Sequence, residues 1–333
     1  MNKAGDHLKG KLLELLRQHK GKPISGQDLS GQFGVSRTAV WKAIEALRAE
    51  GYIIRSSPRL GYELAEEPDA LGPTGVSSIA ASSEFLDSGF FYHQIDSTNS
   101  EAKRFAEEHP QQSALFVAEE QTAGRGRLGR QWMSERGTGL YLSLLIRPEI
   151  EPSRASLVTQ IAAVAAAEAV EEVTGLETQI KWPNDLVIQG KKVCGILAEL
   201  SAEMTAVNYL VVGIGINVNQ ALFPDDIKEK AASLQLLAGR RIDRQKLLAE
   251  VVTRFGGYLS ALTDNAALES MHQVYRLKSA TLGKEVRLVG KQNRTARVID
   301  ITKEGELLVV YPDGERDLIH FGEVSVRGLD FYV

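Results

Sequence analysis

The 333-residue chain has a single cysteine, Cys194, which excludes an internal disulfide framework and any cysteine-cluster zinc site. Its six histidines show no H-E-x-x-H or other metal spacing, and no G-x-S-x-G occurs. Zinc chemistry and a nucleophilic triad are therefore unsupported. Long apolar runs are missing too: the longest, about residues 161–167 and 210–216, are far too short to cross a bilayer. The opening MNKAGDHLKGKLLELL lacks the apolar stretch and small-residue cleavage site of a secretory signal. What is present is ordinary globular usage, 43% hydrophobic and 25% charged, over a length that suggests two or three domains. The expectation is a soluble multidomain protein of a reducing, cytoplasmic compartment, with no membrane partner.

Charge is uneven along the chain. Residues 1–65 carry 11 Lys/Arg against 6 Asp/Glu, and the remainder 28 against 37. A basic N-terminal segment on an acidic body suits a small nucleic-acid module, although on charge alone surface scatter reads as well. Pattern favours the module. Leu8, Leu12, Leu15 and Leu16 recur at helical spacing, Ser25 stands three residues before Asp28 as a helix start, Gly34 suits a tight turn, and Ser36 opens a third helix to about Arg48. Val40, Ile44 and Leu47 face inward on that helix, leaving Ser36, Arg37, Thr38, Trp41 and Lys42 as reading positions. Two short strands around a basic turn come next, with Arg55 and Arg59 placed for phosphates. The reading is a winged helix-turn-helix over residues 1–65, whose second helix enters the major groove. The Pro-, Gly- and acid-rich residues 65–75 read as a linker.

From about residue 90, strands (90–95, 115–120, 140–146, 193–200, 210–216) mix with helices (101–108, 154–174), predicting an α+β domain on a mixed or largely antiparallel sheet, residues 75–279. Gly124-Arg-Gly-Arg-Leu-Gly129 matches the dinucleotide fingerprint G-x-G-x-x-G, but residues 130–139 read as loop, not the helix that fingerprint requires. The motif reads better as a mobile cationic loop whose amides and forked arginines surround an anion. Asp96-Ser-Thr-Asn99 lies between a strand and a helix, and spacing alone favours helix capping. Lys181-Trp-Pro-Asn-Asp185 is a stiff polar turn: an Asx turn, or a holder of magnesium and phosphate through Asn184 and Asp185. One lysine of Lys191-Lys192 suits a point charge facing the site. Gly213 and Gly215 inside a strand suggest close backbone approach. Residues 280–333 read as short strands of a small β barrel.

In order along nearly the whole chain, these residues resemble the bifunctional biotin–protein ligases that also repress biotin operons. The resemblance rests on the winged helix, the Asp-Ser-Thr-Asn turn, Gln121 before Gly124-Arg-Gly-Arg-x-Gly-Arg130-x-Trp132, Lys181-Trp-Pro-Asn-Asp185, Lys192 with Gly195-Ile-Leu-x-Glu199, and Gly213-Ile-Gly-Ile-Asn217. It implies a central fold like that of class II tRNA synthetases and a C-terminal SH3-like barrel. It implies biotin binding by Ser97, Thr98, Asn99, Gln121, Arg125, Gly126, Arg127 and Lys192. Arg125, Arg127, Trp132, Lys181, Asn184, Asp185, Lys192 and Asn217 would bind ATP or the adenylate, with Mg²⁺ near Asn184 and Asp185. Arg125, Arg127, Lys192 and Asp185 would be catalytic. The implied partners are the biotin carboxyl carrier protein of acetyl-CoA carboxylase, operator DNA, and a second copy of the chain once biotinyl-5′-AMP is bound. Two alternatives stay open: a lipoate–protein ligase, and a DNA-binding ligand sensor without catalysis.

Overall fold

The computed structural model describes residues 3–19, 21–49, 52–57, 60–66, 71–289, 293–320 and 325–328, divided into two compact units, Met1–Ala70 and Leu71–Val333. In the first, α1 (Lys3–Gln18), α2 (Gly26–Phe33) and α3 (Arg37–Ala49) precede an antiparallel hairpin of β1 (Ile53–Ser57) and β2 (Gly61–Glu66). Ser25 caps α2 by accepting from the Asp28 amide at 3.1 Å. Gly34 closes that helix at φ 63°, a left-handed turn that favours glycine. Ser36 Oγ accepts from the Ala39 amide at 3.1 Å at the start of α3. Leu12, Leu16, Leu29, Val40, Ile44 and Leu47 meet Ile54 and Leu64 of the hairpin in one core.

The second unit opens with α4 (Pro73–Ala81), so part of the stretch read as linker is helical, its proline in the first turn, where no amide is needed. Then come β3 (Ser88–Tyr92), α5 (Thr98–Glu108), β4 (Ala114–Ala118), β5 (Gly139–Ile146), α6 (Leu157–Thr174), β6 (Gln179–Lys181), β7 (Asp185–Ile188), β8 (Lys191–Ala202) and β9 (Val207–Asn217). Helices α7 (Leu234–Ala238), α8 (Arg244–Tyr258) and α9 (Asn265–Leu277) lead to β10 (Glu285–Val289), β11 (Arg294–Ile301), β12 (Leu307–Val310), β13 (Arg316–Ile319) and β14 (Ser325–Gly328). The main sheet runs β3-β4-β5-β9-β8-β7-β6, antiparallel except for the β3–β4 pair. Alternate residues of its long strands, Leu140, Leu142 and Leu144 on β5 and Val212, Ile214 and Ile216 on β9, enter the main core with α6 and α8. The opposite face carries Phe116, Leu145 and Val211 against Ala102 and Ala106 of α5. Among the described residues no helix is long and apolar enough to cross a membrane.

The C-terminal strands form an antiparallel sheet in the order β13-β12-β11-β10-β14. The barrel expected here is not closed: among the described residues β13 and β14 are the two edges and do not pair with each other. Instead of wrapping around itself, the sheet turns Val286, Leu288, Val298, Leu307 and Val309 into the core it shares with the larger sheet. Ion pairs Arg276–Asp300 and Lys303–Glu269 (2.6 Å) tie it to α9.

Between those pairs, His272 is 4% exposed and its Nδ1 has no hydrogen-bond partner. Burial, reinforced by the Arg276 cation, holds its pKa below the ordinary 6.5, against the opposing pull of the Ile301 carbonyl and Glu269. The unfolded chain therefore takes up this proton first. The stability is fully present above pH 6.5 and lost as pH falls towards the depressed value. The melting temperature is expected to drop from about pH 7 to about pH 5. His272→Leu should flatten that slope, and an unchanged slope would remove His272 from the account.

Candidate active site

Helix α5 covers only part of the sheet's second face. Beyond its first turn the face lies open, forming a cleft of about 1330 Å³. Ser97, Thr98, Asn99, Gln121, Arg125, Gly126, Arg127, Trp132, Lys181, Asn184, Asp185, Lys192 and Asn217 all line it. Thirteen positions from separate motifs thus converge on one cavity.

Its floor is two rows of residues across β5, β9 and β8. In the first, Ser143 pairs with Gly213 and Gly213 with Leu197. In the second, Tyr141 pairs with Gly215 and Gly215 with Gly195. The close approaches suggested by the strand glycines are both present. A Cβ on Gly213 would collide with Asn99 Oδ1. One on Gly215 would come within 2.6 Å of the Trp132 indole, and one on Gly195 within 2.8 Å of it. The glycines make room for an amide in one row and an aromatic ring in the other.

Capping fails as the account of Asp96-Ser-Thr-Asn99. Ser97 sits at the N-cap of α5 but its side chain makes no cap bond, and Glu101 instead accepts from Tyr92 OH at 3.1 Å. Asp96 is held below the usual carboxylate range, chiefly by its hydrogen bonds from Arg104. Thr98 and Asn99 belong to a buried network. Gln121 Oε1 accepts from the Thr98 amide (2.9 Å) and lies 3.1 Å from its hydroxyl, while Gln121 Nε2 donates to Ser134 Oγ (2.9 Å). No motif marks Ser143, Ser134 or the part Glu199 takes in this network. The one sign of it in the sequence is the interruption of an apolar strand by Ser143.

The other end is cationic. Plain alternation from Gly195 and Leu197 would turn Lys191 into the cleft on the same face. A bulge at Val193, where Leu186 pairs with Cys194 but Val187 with Lys192, shifts the phase and brings Lys192 Nζ beside Gly195, so that both lysines line the cleft. Lys192 Nζ lies 2.6 Å from Asp185 Oδ1 and 5.3 Å from the Trp132 ring centroid. Arg127 Nη1 donates to Asn184 Oδ1 at 3.0 Å, and burial lowers the guanidinium pKa, opposed by Asp185. A cation stripped of water in this way acts strongly on a bound anion.

The glycine–arginine loop has no helix after it, only a single turn at Arg127–Gly129, so the motif does not open the helix that the dinucleotide fingerprint requires. Two backbone bonds tie the loop to itself. Gly126 N donates to Arg130 O (2.7 Å) and Trp132 N to Gly124 O (2.9 Å), and the arginine side chains of the loop border the cleft. Trp182 is buried and anchors the Lys181–Asp185 turn, its Nε1 donating to Gly305 O at 2.7 Å. Cys194 lies buried in the core, and burial pushes its thiol pKa up, so it is a packing residue.

In the N-terminal unit, Ser36, Arg37, Thr38, Trp41 and Lys42 are exposed on and just before α3, and Arg55 on β1. Arg59 lies outside the described residues. No cluster of three or more His, Cys, Asp or Glu suited to a metal occurs among the described residues.

Three family models match in chain order: HTH domain at residues 9–63, Biotin/lipoate A/B protein ligase family at 91–217, and Biotin protein ligase C terminal domain at 281–327. The chain is 42% identical over 251 residues to the bifunctional ligase/repressor BirA of Bacillus subtilis, covering 74% of this chain and 77% of that protein. It is 30% identical over 323 residues to BirA of Escherichia coli, covering 96% and 97%. The chain belongs to the bifunctional biotin–protein ligase/repressor family. Among solved structures it is similar to the biotin protein ligase from Aquifex aeolicus in complex with biotin and ATP, at 34% identity and TM-score 0.62, covering 72% of this chain and 98% of that one. The ligase-family match at 91–217 spans most of the motif residues that line the cleft.

Proposed function

We propose that this ligase joins biotin to ATP and passes it to a lysine of the biotin carboxyl carrier protein of acetyl-CoA carboxylase, and that its winged helix represses biotin genes with biotinyl-5′-AMP as corepressor. The observation that carries the reading is the polarity of the cleft: a neutral hydrogen-bonding end at Thr98, Asn99 and Gln121, and a cationic end at Arg127, Lys181 and Lys192. A ligand with a polar ring, an apolar arm and a terminal carboxylate fits such a gradient. Lipoate, whose ring offers no N–H, leaves the first end unused.

In the first step a biotin carboxylate oxygen attacks the α-phosphorus of ATP and pyrophosphate leaves. Both reactants are anions, so Arg125, Arg127 and Lys192 offset their repulsion and the charge that grows in the transition state. Ser97, Thr98, Asn99 and Gln121 hold the ring, with Gly126 in the covering loop, and Trp132 and Asn217 beside the nucleotide. Asn184 and Asp185 offer an amide oxygen and one carboxylate, a donor set suited to Mg²⁺ carried on substrate phosphates, where it would neutralise phosphate charge. In the second step the acceptor amine attacks the acyl carbon, AMP leaves, and Asp185, released from Lys192 by the bound anion, takes the amine proton. The covering loop keeps water from the mixed anhydride meanwhile.

Residues 1–65 serve as the DNA-binding domain, 75–279 as the catalytic domain and 280–333 as the C-terminal domain, related to an SH3-like barrel. Adenylate binding favours a homodimer whose two winged helices grip a two-fold operator through Ser36, Arg37, Thr38, Trp41, Lys42, Arg55 and Arg59. The protein works in the cytoplasm. Incubation with biotin, Mg²⁺ and α-labelled ATP without acceptor should give protein-bound biotinyl-adenylate, and its absence from folded protein would sink the ligase reading. Gel shifts on the chain's own biotin-operon DNA should tighten at least tenfold when biotin and ATP are added together. Equal affinity with and without them would end the corepressor assignment.

A further inference from the structure

On β5, Ser143 shares a face with Tyr141 and with Leu145, which packs against α5, and all three are buried. Ser143, with no exposed surface, stands where this pattern calls for an apolar residue. Its hydroxyl lies 2.7 Å from Thr98 Oγ1 and 2.6 Å from Asn99 Oδ1. On the other side, Asn99 Nδ2 donates to Leu197 O (3.2 Å) and Glu199 Oε2 (2.8 Å), while the second carboxylate oxygen of Glu199 is paired with Lys103.

These contacts fix a direction. A carbonyl and an ionised carboxylate only accept, so the Asn99 amide must turn Nδ2 towards β8 and Oδ1 towards Ser143. Ser143 has one proton, and Asn99 Oδ1 takes it. The Thr98 hydroxyl then spends its own proton inside the protein, on Ser143 or on Gln121 Oε1, and is left with a lone pair for the cleft. A charge on β8, reaching through an amide and a serine, determines what the Thr98 oxygen can offer a ligand.

We propose that Glu199 and Ser143 are positioning residues that hold Thr98 as an acceptor for a ligand N–H, such as a cyclic urea supplies. The inference rests on the assignment of the biotin ring to this end of the cleft. Neither residue touches the reacting carboxylate or phosphate, so their loss acts on biotin and leaves ATP untouched.

The test is adenylate formation by the full chain, with KM for biotin and for ATP measured separately. Ser143→Ala and Glu199→Gln should each raise the biotin KM about tenfold, the cost of one misdirected hydrogen bond, with the ATP KM within about twofold of the parent. Ser143→Thr, which keeps the hydroxyl, should recover most of the loss. Glu199 is partly exposed, with 26% of its side-chain surface accessible, so Glu199→Gln carries the test even if the buried substitution fails to fold. An unchanged biotin KM in Glu199→Gln, or biotin and ATP KM rising together, overturns the inference while leaving the ligase reading intact. No adenylate from the parent protein overturns both.

Discussion

Lys192→Ala is expected to lower kcat/KM for adenylate formation by about 10²–10³-fold, the usual effect of removing one group that stabilises developing charge. Two changes act together. The substitution removes the lysine cation from the anion-binding end. It also uncovers Asp185, whose carboxylate is paired with Lys192 Nζ at 2.6 Å, leaving a negative charge to face biotin carboxylate and phosphate. A second substitution separates the two. In Lys192→Ala/Asp185→Asn the uncovered charge is gone, and roughly tenfold of the lost rate should return, a non-additive pairing expected of groups in contact. The measurement is transfer of α-labelled ATP to biotin without acceptor. A single variant within tenfold of the parent would remove Lys192 from the chemistry. A double variant worse than the single would show that Asp185 has a role in this step beyond its pairing with the lysine.

Lys192 also illustrates how far the site can be read from residues alone. A lysine at the start of this strand is evident in the sequence, but that Lys192 is the one set against Asp185 and Gly195 depends on the bulge at Val193. A bulge is a property of two strands in register, and no local pattern in Lys-Lys-Val-Cys-Gly announces it. The strand glycines are legible because a glycine within an apolar run is costly unless something lies against it. Their partners, Asn99 against Gly213 and Trp132 against Gly215, are distant in sequence and are brought there only by the fold. Ser143 is silent in the sequence because one serine among leucines has several ordinary readings until its two partners are seen. The helix read over 101–108 begins at Thr98, so that Thr98 and Asn99 border the cleft from its first turn. That the small sheet is not closed among the described residues has a related reason. Alternation along β10–β12 shows that one face is apolar, but not whether it is covered by the same sheet or, as here, by the core of its neighbour.

Gly215→Ala should reduce adenylate formation about 10²-fold while changing the melting temperature little. The added methyl group would lie 2.6 Å from the indole of Trp132, well inside contact distance, and a cross-strand neighbour, Gly195, closes the other side of the seat. The ring must rise. With it moves the loop that Trp132 N pins to Gly124 O, and so does Arg127, whose guanidinium is aimed by its bond to Asn184. Displacement of a charge-bearing group by about 1 Å is enough for a loss of that size. Stability is spared because position 215 faces the open cleft; the buried core holds its neighbours Ile214 and Ile216. The cause can be isolated with a second cycle. If the collision with the indole is the whole effect, Gly215→Ala should cost nothing further in a Trp132→Ala background, where the seat is empty. Full additivity would mean that the methyl group blocks substrate directly, and the indole's place on the glycine floor would then have no part in catalysis.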